Sequence, residues 1–321
     1  METLNLSKLA KWFSDEDAAR KLLEKMRWGG HPTCPRCGGL NPYTITPKAG
    51  SSTRKGLYKC SQCRKPFTVT VGTIFEDSHI PISKWLLAMH LMCASKKGMS
   101  AHQLHRMLGV TYKTAWFMAH RLRYAMMEQA VASKLKGIIE VDETYMGGRR
   151  VGKRERRGHP GAASNKTPVV ALVERKGNVR AFPMMRVTAE NLHTVINHHV
   201  DVPNSTLMTD EAHVYTKIGK RFPRHVVVKH AAGEYVRGDA HTNTAEGFFS
   251  LLKRGINGVY HHVGRGHLNR YCDEFSFRYN ARKVDDGTRT AMLVSGAEGK
   301  RLTYKQPASA ATAPASSARV A

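Results

Sequence analysis

Apolar positions change rhythm along the chain, and the changes mark out its elements. Near the N-terminus, Ala18, Leu22, Leu23 and Met26 recur at helical spacing behind Ser14 and Asp17, a capping-box pair, and Arg27-Trp28-Gly29-Gly30 ends the run. Short alternating runs at Tyr43–Thr46, Leu57–Lys59 and Phe67–Val71 predict strands. Helical patterns cover Ile82–Ala94, Ser100–Leu108 and Thr111–Met127, with Gly109-Val110 as a turn between the last two. The second half reads differently. Ile138, Ile139 and Val141 surround alternating acids in one strand; Thr167–Glu174 and Asn178–Val187 form a hairpin about Lys176-Gly177. A helix over Ala189–Val200 follows, then a buried strand at Ser205–Met208, a short helix over Ala212–Gly219 and a strand at His225–Lys229. Phe248, Phe249, Leu251 and Leu252 make a helical stripe behind Asn243 or Thr244 as cap, and Leu268, Tyr271, Phe275 and Tyr279 line one side of a last helix.

Composition narrows the partners. The 321 residues carry 51 Lys and Arg against 25 Asp and Glu, a formal charge of +26, and the expected partner of such a chain is a polyanion. A hydrophobic fraction of 41% is ordinary for folded domains, and no run of eighteen apolar residues or signal pattern appears, so the expected place is the cytoplasm, with no membrane partner. Residues 78–127 hold basic side chains and no acid; with the helix, turn, helix order they predict a DNA-binding face, with Thr111, Tyr112, Lys113, His120, Arg121 and Arg123 as its candidates. A plain helical bundle with a solvated basic face is the alternative. Arg149, Arg150, Lys153 and Arg154 stand in a Gly-rich basic stretch with almost no apolar residue, expected to be a mobile arm gripping phosphates.

Cys34-Pro-Arg-Cys37 and Cys60-Ser-Gln-Cys63 are two Cys-x-x-Cys knuckles. Four thiolates at that spacing suit one tetrahedral structural zinc and leave no open position for catalysis. Cys93 and Cys272 sit in apolar helical contexts and are expected in the core.

The acids carry the chemistry. Asp142 ends one predicted strand and Asp210 another, while Glu246 falls in the first turn of a helix with Lys253 two turns on. Three converging carboxylates can hold two Mg²⁺ or Mn²⁺ ions about 4 Å apart on a phosphodiester. Lys253 would meet phosphate as a point charge, and His261 and His262 beyond the helix are candidates to touch DNA. Glu140, Glu143, Glu211, Glu234 and Asp239 compete as acids, but Asp142 and Asp210 have the strand-end placement and Glu246 the basic companion.

Val141-Asp-Glu-Thr-Tyr-Met-Gly-Gly148, Asn243-Thr-Ala-Glu-Gly-Phe-Phe-Ser-Leu-Leu-Lys253, Tyr260-His-His and Tyr271-Cys-Asp-Glu-Phe-Ser-Phe-Arg-Tyr-Asn280 stand in order. With them the chain resembles bacterial insertion-sequence transposases that join an N-terminal zinc ribbon to a DDE core. The element order, three meandering strands and then helix, strand, helix, strand, helix, agrees with the ribonuclease-H-like fold of that core. The expected class is therefore a multidomain α+β and α/β protein: an N-terminal helix (1–30), a zinc ribbon (31–76), a helix-turn-helix-like region (78–132), a ribonuclease-H-like catalytic domain with a mixed five-stranded sheet and flanking helices (137–304), and a disordered tail (305–321). The resemblance implies recognition of terminal inverted repeats, cutting there, and joining of the freed 3′ ends to target DNA by a homo-oligomer. It maps the family's acids onto Asp142, Asp210 and Glu246 and its basic residue onto Lys253. Two other readings stay open: a catalytically silent DNA-binding regulator, and a ribonuclease-H-like nuclease without strand transfer.

Overall fold

The computed structural model describes residues 15–128, 133–147, 166–228 and 241–304. They fall into two compact units: residues 15–127 with 281–304, and residues 128–280.

In the first unit, helix α1 (Glu16–Trp28) is capped by Asp15, whose side chain accepts from the N–H of Asp17, and ends at Gly29 in the left-handed region. Strands β1 (Tyr43–Ile45), β2 (Leu57–Lys59) and β3 (Pro66–Phe67) pair antiparallel in that order. Their core is small, with Trp28, Tyr58 and Phe67 in contact at ring-centroid distances of 5.6–6.0 Å. The third strand is shorter than the Phe67–Val71 expected. The chain turns there, with Val71 N–H donating to the Thr68 carbonyl, and the Arg27 guanidinium takes the carbonyls of Val69 and Val71 at 2.7 and 2.9 Å.

Helices α2 (Ile82–Ala94), α3 (Ala101–Leu108) and α4 (Tyr112–Met126) follow as expected from sequence. Ser100 and Thr111 cap α3 and α4 by accepting from Gln103 N–H and Thr114 N–H, and Gly109 (φ +59°) makes the turn between them. The last helix, α9 (Asp286–Gly296), belongs with these helices and not with the sheet, so the boundary expected at residue 304 falls at 280. It buries Thr290, Leu293 and Val294 against α1, α2 and α4.

Arg121 and Arg123 were expected on a DNA-facing surface; both are buried, 7% and 2% exposed. Arg121 donates to the carbonyls of Ile74, Glu76 and Leu302 at 2.8, 3.2 and 3.0 Å, so its charge serves backbone that would otherwise lack partners. His120, fully buried, is likewise no surface residue. Arg121→Met is expected to lower stability by about 2–3 kcal/mol in thermal unfolding, because it strands buried acceptors.

In the second unit, β4 (Leu135–Met146) is the central strand of a five-stranded sheet ordered β6-β5-β4-β7-β8, where β5 is Thr167–Glu174, β6 Val179–Pro183, β7 Val200–Asp210 and β8 Arg224–Val228. The β4–β5 and β5–β6 pairs are antiparallel, and β4–β7 and β7–β8 are parallel, which is the ribonuclease-H arrangement. Helix α5 (Ala189–His199) makes the crossover to β7, and a short 3-10 turn with α6 (Thr216–Gly219) leads into β8. Continuous burial along β5 explains its unbroken apolar run, since helices cover both faces. One face packs Ile139, Val141, Leu172 and Leu207 on Leu192, Ile196, Tyr215 and Phe222. The other packs Val169, Ala171 and Val173 on α7 (Asn243–Gly255) and α8 (Leu268–Asn280) through Phe248, Leu252, Cys272 and Phe275. Alternation along β4 therefore aims Glu140 and Asp142 at the α7 face and Glu143 at the other.

Candidate functional site

The β4–β7 register pairs Glu140 with Met208, and two residues further at the same offset stand Asp142 and Asp210. Parallel pairing at the centre of the sheet thus carries the two aspartates onto one face, two residues past the last β4–β7 pair; Asp210 ends its strand as expected, but Asp142 does not, because β4 runs on to Met146 through its pairing with β5. Asp142 Oδ1 accepts from the N–H of Glu143 at 2.7 Å, and Asp210 Oδ1 from the N–H of Ala212 at 3.1 Å. These local bonds fix each carboxylate yet leave its second oxygen for other partners.

Burial pushes the Asp142 carboxyl up to about 7 against the pull of the Glu143 N–H, and the charges of Glu143, Asp210 and Glu246 push it the same way. The same acids thus feel one another across the sheet and α7. Among the described residues, no Lys or Arg is ion-paired with Asp142, Asp210 or Glu246. Their oxygens are not gathered as tightly as the cysteine sulfurs, the described group whose ligand atoms all lie within 4.8 Å of one another. Glu143 lies on the opposite face, half-buried, and accepts from Tyr215 Oη at 2.5 Å; burial raises its carboxyl while the tyrosine lowers it.

Helix α7 begins without the side-chain cap expected from Asn243 or Thr244; its N-cap is Thr242, which makes no side-chain cap bond. The cap comes from Glu140. This fully buried acid accepts from Thr244 N–H (2.8 Å) and Ala245 N–H (3.1 Å) at Oε2, and from Thr244 Oγ1 (2.8 Å) at Oε1. Arg175 Nε completes it at 2.8 Å. In sequence Glu140 reads as one of the acids competing with Asp142, or as a solvated one. The available signal was its place between Ile139 and Val141 on a core strand, where a carboxylate needs partners.

Glu246 and Lys253 are both exposed on α7. Beyond the helix, residues 256–260 widen into a π-helical turn, and His261 ends it at φ +59°, outside the usual range of a side-chain-bearing residue. Tyr260 Oη donates to the buried Glu274 at 2.7 Å, which also receives Arg278 at 2.6 Å, so this turn is anchored to α8. His261 and His262 are exposed just past that anchor. Lys113 is exposed on α4, its ammonium 4.9 Å from the Tyr304 ring. Arg149, Arg150, Lys153 and Arg154, the competing Glu234 and Asp239, and the tail expected to be disordered lie outside the described residues.

The ribbon holds the second site. Cys34 Sγ lies 3.7 Å from Cys63 Sγ and Cys37 Sγ 3.5 Å from Cys60 Sγ, and the four together fit a structural zinc. Cys63 N–H points at Cys60 Sγ from 3.4 Å, and that amide, ahead of the opposing effect of burial, draws the Cys60 thiol down to about 6. Backbone N–H groups aimed at sulfur favour thiolate, the form that binds metal. Cys93 and Cys272 are core residues, 1% and 0% exposed.

Residues 134–280 match the family described as an ISXO2-like transposase domain, and residues 14–66 match a transposase zinc-ribbon domain. Over 288 residues the chain is 30% identical to an uncharacterised protein in the transposable element ISH50 of Halobacterium salinarum, covering 84% of this chain and 92% of that protein. Among solved structures, similarity is slight. A chain of a simian T-cell lymphotropic virus intasome matches at 14% identity and a TM-score of 0.28, over 60% of this chain and 65% of that one. A pre-cleavage Mos1 transpososome gives 13% and 0.27, over 67% and 79%. No described helix is long and apolar enough to cross a membrane.

Proposed function

The chain belongs to the ISXO2-like transposases, and from that premise we propose that it cuts DNA at the terminal inverted repeats of its element and joins the freed 3′ ends to target DNA. The observation that supports the chemistry is the parallel β4–β7 pairing, which puts Asp142 and Asp210 on one face of the sheet, with Glu246 on the helix packed over that face and no described cation partner for any of the three. An all-carboxylate donor set of this kind suits hard divalent cations, and Asp142, Asp210 and Glu246 would hold Mg²⁺ or Mn²⁺. Two such ions, when bound, polarise the phosphodiester and stabilise the attacking and leaving oxygens of an in-line displacement.

The chain's own groups do the rest. Asp142 and Asp210, fixed by local N–H bonds on a rigid sheet, define one wall of the site. Glu246 approaches from α7, and Lys253, about two turns along the same helix, meets a phosphate beyond it. His261 and His262 extend the line of contacts past the π turn. The excess of 51 basic over 25 acidic residues supplies the sequence-independent share of DNA affinity. Lys113 and the basic residues near 149–154 are proposed contributors, and assembly of more than one copy brings two ends together.

The test uses a duplex carrying the element's terminal repeat, with Mg²⁺ or Mn²⁺, and reads nicking at the repeat and joining of a pre-cut end to plasmid. Metal-dependent cutting with joining is expected. Cutting without joining would leave a nuclease, and binding alone a silent regulator. In the same assay Lys253→Ala should slow cleavage roughly 10- to 100-fold while the fold survives, since the side chain is exposed.

A further inference from the structure

We propose that Glu140 is a positioning residue for the Glu246 carboxylate: it caps α7 from the neighbouring strand and so sets where the third acid of the site stands. This rests on the metal-site reading above and adds to it a residue that touches neither metal nor DNA.

The first turn of a helix leaves N–H groups without intrahelical partners, and a helix ordinarily satisfies some of them with its own N-cap side chain. Here Thr242 makes no such bond, and the N–H groups of Thr244 and Ala245 go instead to Glu140, 104 and 105 residues earlier in the chain. Glu246 is the next residue. Its backbone therefore hangs directly from a carboxylate rooted in β4, two residues from Asp142 on the same face of the strand. A negative charge at this end of the helix also meets the favourable pole of its dipole.

A second tie fixes the approach to the helix. Arg175, just past β5, donates from Nε to Glu140 at 2.8 Å and from its second terminal nitrogen to the His241 carbonyl at 3.1 Å. Glu140 and Arg175 thus pin both the first turn of α7 and the residue before its cap to the central strands. A buried ion pair of this kind adds little net stability over apolar side chains of equal size, because desolvating two charges offsets their attraction. Its distinctive product is position: Oε1 and Oε2 accept from defined donors, which allows one rotation and one height of α7 over Asp142 and Asp210.

Full-length wild type, Glu140→Gln and Thr244→Val would be compared by three measurements. These are Mn²⁺ binding by electron paramagnetic resonance, hydrogen exchange of the Thr244–Glu246 amides, and cleavage rate against Mn²⁺ concentration. Partners that orient metal ligands typically change affinity 10- to 100-fold, so Glu140→Gln should weaken Mn²⁺ binding by about that factor and speed exchange in the first turn of α7. Much of the lost cleavage should return at high Mn²⁺. Thr244→Val, which keeps the carboxylate and loses only the Oγ1 bond, should shift both readouts in the same direction by less, and it decides the matter should Glu140→Gln fail to fold. Unchanged Mn²⁺ affinity and α7 exchange in a folded Glu140→Gln, with only a lower melting temperature, would overturn the inference. If wild type itself binds no Mn²⁺ at Asp142 and Asp210, the metal-site reading fails instead, and amide exchange still reports on the cap.

Discussion

Asp210→Asn should abolish both cutting and joining while leaving a folded, zinc-loaded protein that still binds duplex DNA. The replacement is isosteric, and the amide oxygen can still accept from Ala212 N–H, 3.1 Å away in the parent. What disappears is a charge and an anionic oxygen donor. Loss of one carboxylate from a two-cation site removes several kcal/mol of transition-state stabilisation, which at 1.36 kcal/mol per tenfold is about 10³-fold or more in rate. Stability should move the other way. Asp210 is among the like charges that raise Asp142 and Glu143, so neutralising it relieves repulsion between half-buried acids. A melting temperature equal to or above wild type, together with lost activity, is therefore the expected pair of results. A variant that cuts at close to the wild-type rate would remove Asp210 from the chemistry, and one that loses DNA binding and zinc along with activity would show only misfolding.

The second unit was legible in sequence wherever burial was uniform. β5 announces itself as an apolar run because helices cover both faces of the sheet, whereas β4 shows only Ile138, Ile139 and Val141 among acids and β7 only its Ser205–Met208 part, and the order of elements then leaves little choice of topology. What stayed hidden depends on contacts between residues far apart in the chain. Glu140 looked like one acid among several since its partners, Arg175 and the start of α7, lie 35 to 105 residues away. Arg121 and Arg123 sit in an acid-free stretch that invites a DNA-facing reading, yet charge along a chain does not say which way a side chain points. Arg121 turned inward because three carbonyls, from residues 74, 76 and 302, required a donor. Helix α9 follows the catalytic elements in sequence and still packs on α1, α2 and α4, a pairing that no local periodicity encodes.

Stripping zinc should unfold the ribbon and leave the catalytic sheet intact. The ribbon's strands are three, three and two residues long, and its buried cluster holds little beyond Tyr58, Phe67 and the cysteines themselves, with Trp28 packed at its edge. So few apolar groups cannot offset the ordering of the knuckles and the long connection between β1 and β2, whereas a four-thiolate zinc contributes on the order of 10 kcal/mol. Chelation, or Cys60→Ser, should therefore release one zinc per chain, change the near-ultraviolet signal of Trp28 and open the segment around Gly56 to protease. Gly56, at φ +73°, turns the chain into β2 with the Arg20 side chain of α1 close against it. Amide exchange in β4, β5 and β7 should not change, because those strands belong to the other unit and share no ligand with the ribbon. Protection of β2 amides that survives complete zinc removal would mean that the aromatic cluster holds the ribbon by itself, and the four cysteines would then need a different explanation.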